Sequence, residues 1–294
     1  MITVFGSLNL DLIGTVSRIP RPGETVPGGS FSTAAGGKGA NQTLAARRAG
    51  ARIRIAGAVG TDAFAGEAIG LLESEGVDLS LLRRETGPTG IAMIFVDAAG
   101  ENVIAVLPGA NGTATPAHAD AALADLAPGD VLVTQQEIPQ EATRRALEIA
   151  REKGIVSILN TAPFLSTTPE LAPLAAILVA NETEFALLAG EGDLETLMAD
   201  WARRHGQTVI VTLGPDGARA ATPEGLISVP ALKVDPVDTV GAGDTFVGYL
   251  AAGLDAGMPL EAAMARAAKA ASLACLAPGA QPAIPHADAV DAAR

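Results

Sequence analysis

Short apolar runs alternate with helix-periodic segments along most of this chain. Runs rich in Val, Ile and Leu predict strands, and these lie at 53–59, 131–134, 155–159, 177–179 and 208–212. Segments with helical spacing predict helices, and these lie at 42–49, 64–75, 141–153 and 194–205. Strands that alternate with helices of about 10–15 residues are typical of βαβ units. The pattern therefore predicts an α/β fold, with a doubly wound, mainly parallel central sheet flanked by helices, as in Rossmann-like proteins.

Two stretches depart from this alternation. Residues 12–33 are rich in proline and glycine and show no helical period. Residues 90–107 predict two strands, Ile91–Val96 and Asn102–Leu107, joined by a turn. A hairpin with no following helix is not expected in a doubly wound sheet. We therefore predict that both stretches form a small β-sheet lid, although a surface hairpin without functional importance fits the same pattern.

The C-terminal part predicts two Ala-rich helices, Phe246–Ala256 and Leu260–Cys275, separated by Gly257, Met258 and Pro259. No low-complexity linker or internal repeat divides the chain. We therefore predict one α/β domain over 1–294, with lid strands contributed by about 12–33 and 90–107.

Composition and charge exclude several classes of protein. Hydrophobic residues make up 48% of the 294 residues, which is enough for a large core, but aromatic residues only 3%. The formal net charge is −13 and no basic stripe is visible, so we expect no nucleic-acid partner. No apolar stretch reaches about 18 residues, so we expect no membrane span. The N-terminus lacks a signal-peptide pattern and Cys275 is the single cysteine, so we expect a cytoplasmic protein without intramolecular disulfides.

The strongest motif is D-T-V-G-A-G-D-T-F at 238–246, directly before the apolar helix predicted from Phe246. Glycines let consecutive backbone N–H groups point at one ligand, and the start of a helix adds positive potential. Such an arrangement suits the charge that develops on a transferring phosphoryl group. Asp244, in the first turn, could accept a proton from a hydroxyl. The alternative is an ordinary capped helix start.

A second glycine-rich motif, G-G-K-G-A-N at 36–41, also opens a predicted helix. Its glycines would allow a polyhydroxylated ligand to approach, and the amide of Asn41 suits a sugar diol. The spacing does not match a Walker A loop, and a plain glycine-rich turn remains the alternative. Asn9 and Asp11, which we place at the end of the first strand, alternate so that both lie on one side. An Asx-rich strand exit would show the same pattern.

Three further positions follow predicted strands, where ligands bind in open α/β sheets. Asn181 and Glu184 lie three residues apart and could hold Mg²⁺, although an Asn-x-x-Glu helix cap looks the same. Glu137 follows the strand at 131–134, and the turn at 212–217 could border a nucleotide.

Taken in order, these motifs resemble the ribokinase-like (PfkB) carbohydrate kinase family. That family carries a G-G-K-G-A-N-type signature early and a D-T-x-G-A-G-D signature late, and the resemblance runs from about residue 2 to residue 285. Within the family the chain is most similar to the ribokinase group, on the following features: Asn9 with Asp11, P-G-E-T at 22–25, G-E-N-V-I at 100–104, G-A-N at 109–111, Glu137, and G-A-Q-P at 279–282.

The resemblance implies a role for each matching position. The catalytic group would be Asp244 as base with an anion hole of Gly241, Ala242 and Gly243. The sugar would be held by Asp244 and by Asn9, Asp11, Gly37, Lys38, Gly39, Ala40, Asn41 and Glu137. ATP and Mg²⁺ would face Asn181, Glu184, Thr212, Leu213, Gly214, Pro215, Asp216, Gly217, Gly243 and Ala268. An activating K⁺ would be held, largely through backbone carbonyls, at Asp238, Val240, Ala274, Ala277, Gly279 and Ala283.

The implied reaction is ATP-dependent phosphorylation of the primary hydroxyl of a small sugar, D-ribose to D-ribose 5-phosphate, by a homodimer that associates through the lid. Pro215 and Ala283 depart from the Ser common in the family, and Ala268 from a polar residue, so the nucleotide and cation preferences stay open. Alternatives are another kinase of the family, for nucleosides, fructose or ketodeoxysugars, or a catalytically silent sugar- or nucleotide-binding regulator.

Overall fold

The computed structural model describes residues 1–293, in which strands and helices alternate over most of the chain. The strands, β1 to β13 in chain order, span Ile2–Phe5, Asn9–Val16, Gly28–Gly36, Ile53–Val59, Leu82–Arg84, Gly90–Val96, Asn102–Leu107, Val131–Thr134, Val156–Asn160, Ile177–Asn181, Thr208–Thr212, Ala218–Thr222 and Gly225–Val229. The α-helices, α1 to α11, span Lys38–Arg48, Phe64–Ser74, Pro116–Ala122, Gln140–Lys153, Thr168–Leu171, Glu182–Ala189, Leu194–His205, Ala242–Asp255, Leu260–Ala274, Ala280–Ala283 and Ala287–Ala292. Within residues 1–293, none of these helices combines the length and the apolar character that a membrane crossing needs.

The central sheet has nine strands in the order β13-β12-β11-β10-β9-β8-β1-β4-β5. Every pair from β11 to β5 is parallel, which confirms the predicted doubly wound, mainly parallel sheet. Alternate residues of β8 enter cores on opposite faces, because Val131 and Val133 pack in one hydrophobic cluster and Leu132 in another. Helices cover both faces, so the strands are buried runs of apolar residues.

Local sequence signals explain where many elements begin and end. Helix α7 begins after Asp193, whose carboxylate accepts a hydrogen bond from the amide of Thr196 at 3.0 Å. It ends at Gly206, which adopts a left-handed conformation with φ of 60°. Its buried residues, Met198 and Trp201 among them, recur with helical spacing. These signals are short-range, and the bounds of α7 match the predicted helix residue for residue.

The central sheet also contains a hairpin that the periodicity did not indicate. Strands β12 and β13 pair antiparallel with each other, and β12 pairs antiparallel with β11. Our expectation that a hairpin would not join a doubly wound sheet was therefore wrong for this edge. Parallel sheets often accept an antiparallel edge strand, because such a strand needs no crossover helix.

The second sheet is small and has four strands in the order β3-β2-β6-β7. Strand β2 pairs antiparallel with β3 and parallel with β6, and β7 closes the hairpin with β6. All of β7 is exposed to solvent. The small sheet is thus built from 9–16, 28–36, 90–96 and 102–107, the regions around the two stretches that lacked alternation.

The first strand is shorter than the sequence suggested. Strand β1 ends at Phe5, and the chain then leaves the central sheet, so Asn9 and Asp11 begin β2 of the small sheet. The turn is tight, because a Cβ added at Gly6 would overlap the side-chain amide of Gln135 and the backbone of Gly39. Asn9 and Asp11 still share one face, as their alternation predicts.

Helix α8 crosses α1 closely, and a glycine lies at the crossing. A Cβ added at Gly248 would lie 2.5 Å from the carbonyl oxygen of Gln42 and 2.5 Å from the Cβ of Ala45. The start of α1 and the start of α8 can therefore approach each other only if residue 248 has no side chain.

Two glycine substitutions should separate close packing from helix propensity. Gly248→Ala should destabilise the fold by about 1–3 kcal/mol through overpacking. Gly70→Ala is the matched control, because Gly70 lies within α2 with nothing within 4 Å of an added Cβ. It should stabilise by about 0.5–1 kcal/mol, the helix-propensity gain of Ala over Gly. Equilibrium denaturation with urea measures both changes, and equal effects of the two substitutions would contradict this packing.

Candidate active site

The start of α8 has the geometry of an anion-binding turn. Gly241 precedes the helix in a left-handed conformation with φ of 77°, and an added Cβ would lie 2.8 Å from the Cβ of Ala280. Gly243 is different, because nothing in the protein lies within 4 Å of an added Cβ. The space beside Gly243 is therefore open to a ligand, at the positive end of the helix.

The carboxylate of Asp244 is held by two side-chain amides from α1. Its Oδ2 accepts a hydrogen bond from Nδ2 of Asn41 at 2.9 Å, and its Oδ1 accepts one from Nε2 of Gln42 at 2.9 Å. Asp244 is only 7% exposed, yet it lines a cavity. The amide oxygen of Asn41 is buried and has no partner within the described residues, which suits a ligand hydroxyl. The structure thus brings the two glycine-rich motifs together at one carboxylate.

The glycines of the early motif pack against the protein's own chain. A Cβ at Gly36 would lie 2.5 Å from the Asp11 carboxylate, and one at Gly37, where φ is 87°, would lie 2.7 Å from the amide of Asn9. One at Gly39 would lie 2.5 Å from the amide of Ser7. The protein's own chain thus fills the side of each glycine on which a Cβ would lie, and a ligand could approach this loop only from another side.

Lys38 lies among several carboxylates. The charge of Asp244, above all, raises the pKa of Lys38 against the opposing effect of burial, and Glu137 and Glu184 add to the rise. Burial, together with the charges of Glu137 and Asp244, raises the pKa of Asp11 to about 6. One ammonium group thus faces three carboxylates, and the acidic excess remains at the site.

Two polar contacts fix the side chains that we predict to hold the sugar. Asn111 donates from Nδ2 to Oδ1 of Asn9 at 2.8 Å and also bonds both backbone groups of Leu8. Glu137 accepts from the hydroxyl of Ser7 at 2.6 Å and from the amide of Lys38 at 3.1 Å, all through Oε2. Glu137 therefore ties the loop at the start of α1 to the exit of β8.

Asn181 and Glu184 form a helix cap and also line the cavity. The side chain of Asn181 accepts from the amide of Glu184 at 2.8 Å, and Oε2 of Glu184 accepts from the amide of Asn181 at 3.1 Å. Both residues line a cavity of about 170 Å³ together with Lys38, Gly241, Gly243 and Asp244. Oxygen donors with one or two carboxylates fit Mg²⁺, which usually completes its shell with water and phosphate. Within residues 1–293 no cluster of three or more His, Cys, Asp or Glu side chains forms a metal cage.

A larger cavity of about 590 Å³ adjoins the smaller one, and Thr212 and Gly243 line both. Its wall includes several predicted nucleotide-facing residues, namely Gly214, Pro215, Asp216, Gly217 and Ala268. Any ligand contact of Leu213 or Ala40 would involve the backbone, because both side chains pack in hydrophobic clusters. Leu213 shapes the turn by donating its amide to the carbonyl of Gly217 at 2.8 Å.

The two loops predicted to hold a monovalent cation meet at one carboxylate. Asp238 accepts from the amide of Val240 at 3.0 Å and from the amide of Gly279 at 2.8 Å. Ala274 ends α9, where the last carbonyls of a helix lack intrahelical partners and carry negative potential. Carbonyl oxygens beside a carboxylate fit a cation. Ala283 is buried in α10 and has no side-chain oxygen that could bind a cation. Ala277 lies in the loop between α9 and α10.

Three residues of the site were missed in the sequence, namely Gln42, Gln135 and Asn160. All three are buried, and Gln42 connects them, because it donates to Asp244 and Asn160 and accepts from Gln135. The available signal was polarity, because Gln42 interrupts an apolar helix face directly after the early motif. Its partners cannot be found by spacing, since they follow strands 93 and 118 residues further along the chain.

Comparisons with known proteins agree with this geometry. The profile of the pfkB family of carbohydrate kinases matches residues 1–287. Ribokinase from Bacillus subtilis is 36% identical over 290 residues, covering 99% of this chain and 98% of the relative. Ribokinase from Thermotoga maritima superposes with a TM-score of 0.90 at 32% identity, covering 99% and 98%. The Arabidopsis thaliana ribokinase complexed with ribose and ATP superposes with a TM-score of 0.88 at 29% identity, covering 98% and 96%. The chain belongs to the pfkB family of carbohydrate kinases.

Proposed function

We propose that this protein transfers the γ-phosphoryl group of ATP to the primary hydroxyl of D-ribose, forming D-ribose 5-phosphate. One observation carries the proposal. The carboxylate of Asp244 lines the same small cavity as Lys38 and Gly243, and Gly243 also lines the larger cavity. A proton acceptor, an anion site and a groove large enough for a nucleotide therefore adjoin. The similar ribokinase with bound ribose and ATP supports the choice of both substrates.

In the proposed reaction, Asp244 accepts the proton of the ribose O5 hydroxyl while that oxygen forms its bond to the γ-phosphorus. The bond between the γ-phosphorus and the bridging oxygen breaks, and ADP leaves with that electron pair. The backbone amides of Gly241 and Gly243 would face the charge on the transferred group, whereas the amide of Ala242 donates to the carbonyl of Thr239 at 3.3 Å. Asp244 then releases its proton to solvent, and the site is ready for another cycle.

Two cations belong to the same proposal. Mg²⁺ would be held near Asn181 and Glu184, directly or through water, and would supply positive charge to the ATP phosphates. K⁺ would lie between the loops that meet at Asp238 and Gly279, and would order the turn before Gly241. The protein would work in the reducing environment of the cytoplasm.

The sugar would lie between the starts of α1 and β2. The unpartnered amide oxygen of Asn41 and the carboxylate of Asp11 are available to sugar hydroxyls. Glu137 and Asn9 would serve the same ligand from positions that their own hydrogen bonds hold. Polar groups placed in this way favour a ligand with several adjacent hydroxyls.

The small sheet, as part of one α/β domain, would act as a lid and as a dimer interface. Cross-strand register puts Ile13, Ile94 and Ile104 in one row, on the face that carries Asn9 and Asp11. Ile104 is 52% exposed, and Phe31 on the opposite face is 70% exposed. Exposed apolar surface of this kind favours a protein partner, and a second copy that covers it would also exclude water from the sugar.

We expect ADP release in the presence of Mg²⁺ and K⁺ to be faster with ribose than with deoxyribose, fructose or nucleosides. Asp244→Asn should lower kcat by at least about 10²-fold, because general-base catalysis contributes about 10²–10⁴-fold. A coupled ADP-release assay measures the substrate preference and the kcat of the variant, and calorimetry shows whether the variant still binds ribose.

Turnover with another substrate but not ribose would overturn the assignment of the sugar. Near-normal turnover by Asp244→Asn would overturn the role of the base. Repeating the assay in Na⁺ tests the cation, since equal rates in the two salts would contradict K⁺ activation.

Ribose affinity should fall as the pH drops through about 6, because the ionised carboxylate of Asp11 is the better acceptor for sugar hydroxyls. The folded-state pKa lies above the ordinary value of 3.8, so the folded protein binds this proton more tightly than the unfolded chain does. The ionised group therefore destabilises the fold above pH 6, and this cost fades as the pH falls towards 4. Asp11→Asn should accordingly stabilise the ligand-free protein at pH 7.5, by about 1–3 kcal/mol, and weaken ribose binding.

Calorimetric titration with ribose from pH 5 to 7.5 tests the binding, and urea denaturation tests the stability. A ribose affinity that does not change over this pH range would rule out Asp11 as an ionised sugar ligand.

Ile104→Lys should convert a dimer into a monomer, because it places a charge in the apolar row of the small sheet. Leu226→Lys is the matched control, since Leu226 is 50% exposed on β13, at the far edge of the central sheet. Leu226→Lys should leave the molar mass of the dimer in solution unchanged. Light scattering after size-exclusion chromatography measures both, and a wild-type monomer, or a dimer that survives Ile104→Lys, would contradict the interface.

A further inference from the structure

Gln42 is fully buried beside the carboxylate that we propose as the base. Its amide nitrogen donates to Oδ1 of Asp244 at 2.9 Å and to Oδ1 of Asn160 at 3.1 Å. Both protons of the amide are therefore used, and both acceptors are oxygens. A hydrogen bond to a carboxylate is stronger than one between neutral groups, particularly away from water.

The orientation of the Gln42 amide is set by a second glutamine. Gln135 donates from Nε2 to Oε1 of Gln42 at 2.6 Å. If the Gln42 amide were turned over, its oxygen would face the Asp244 carboxylate and its nitrogen would face the donor on Gln135. Gln135 packs against Gly6, because its amide oxygen, which is buried without a hydrogen-bond partner among residues 1–293, would overlap a Cβ added at Gly6. The direction of the hydrogen bond to Asp244 therefore follows from the acceptor on Asn160 and the donor on Gln135.

The members of this chain come from neighbouring parallel strands. Gly6 follows β1, Gln135 follows β8 and Asn160 ends β9, and these three strands are adjacent in the central sheet. Asn160 is held in turn, because its Nδ2 donates to the carbonyl of Val179 on β10 at 3.2 Å. These hydrogen bonds form a relay that connects the carboxyl ends of central strands to the carboxylate of Asp244 on α8.

Gln42 differs from Asn41, the other donor to Asp244. Asn41 has a free buried oxygen for the sugar, whereas Gln42 is 0% exposed and both of its polar atoms are occupied. We infer that Gln42 is a positioning residue, which orients the carboxylate of Asp244 towards the reacting hydroxyl without touching the substrate. This inference rests on the proposed role of Asp244 as the base. The other charged groups near Asp244 are Lys38 on α1 and Asp11 on β2, with Glu137 and Glu184 beyond Lys38.

The test replaces Gln42 with Met, which keeps the length of the side chain and removes the donor. Gln42→Met should lower kcat by about 10–100-fold, the effect of a lost hydrogen bond to a charged group. The dissociation constant for ribose should change by less than about 3-fold, because the sugar contacts remain. The acidic limb of the kcat–pH profile should move to higher pH, since the ionised base has lost a donor.

Leu44→Ala is the control for general damage to α1. Leu44 is fully buried in the hydrophobic core of the same helix and takes no part in the relay. It should lower the melting temperature clearly while kcat and the pH profile stay as in the wild type. Gln135→Met is the second variant, should Gln42→Met fail to fold. It should show the same pattern with a smaller kcat loss of about 3–10-fold, because it frees the Gln42 amide to turn.

The outcomes separate this inference from the function on which it rests. A wild-type kcat and pH profile in Gln42→Met would overturn the inference while Asp244→Asn remains inactive. Equal losses of ribose binding and of kcat would also overturn it, since they would indicate damage to the sugar loop. Full activity of Asp244→Asn would instead overturn the proposed base.

Discussion

A carboxylate that is nearly excluded from water must find its hydrogen bonds inside the protein, and Asp244 finds them on another helix. Both of its oxygens accept side-chain amides from the first turns of α1, which requires that α8 dock tightly onto α1. Gly248 permits that approach, because any larger residue would meet the backbone of Gln42. The position of α1 then determines where the loop at 36–41 lies, and the position of α8 determines where the glycine turn at 241–243 lies. The two halves of the site are joined through this one contact.

The electrostatics of the site follow from the same crowding. Lys38 lies among the carboxylates of Asp244, Glu137 and Glu184, and burial, together with the charges of Glu137 and Asp244, raises the pKa of Asp11. Such an arrangement costs stability in the free protein, and it is maintained by burial and by hydrogen bonds from the surrounding loops. A hydroxyl-rich ligand and a divalent cation would each relieve part of that cost. The clustered carboxylates thus both destabilise the free protein and provide the groups that would bind a ligand.

What the protein fills and what it leaves open is equally informative. The turn after β1 occupies the Cβ side of Gly37 and Gly39, so neither position could carry a side chain unless its neighbours moved. The space beside Gly243 is open, and it connects the small acidic cavity to the large apolar groove. On the small sheet, apolar side chains of β7 are exposed to solvent. An unfilled cavity is expected where a substrate binds, and an exposed apolar surface is expected where a second subunit binds.

Local signals in the sequence determined the elements and much of the chemistry. Periodicity placed the strands at 53–59 and 208–212 and the helix at 194–205, because burial on one face repeats at intervals that short windows detect. The motif at 238–244 indicated an anion site for the same local reason. Tertiary structure alone decided that Asn9 begins the small sheet, that β12 and β13 extend the central one, and that Gln42 meets Asp244. Those two residues are 202 positions apart, and their contact depends on how whole helices cross, which no local pattern encodes.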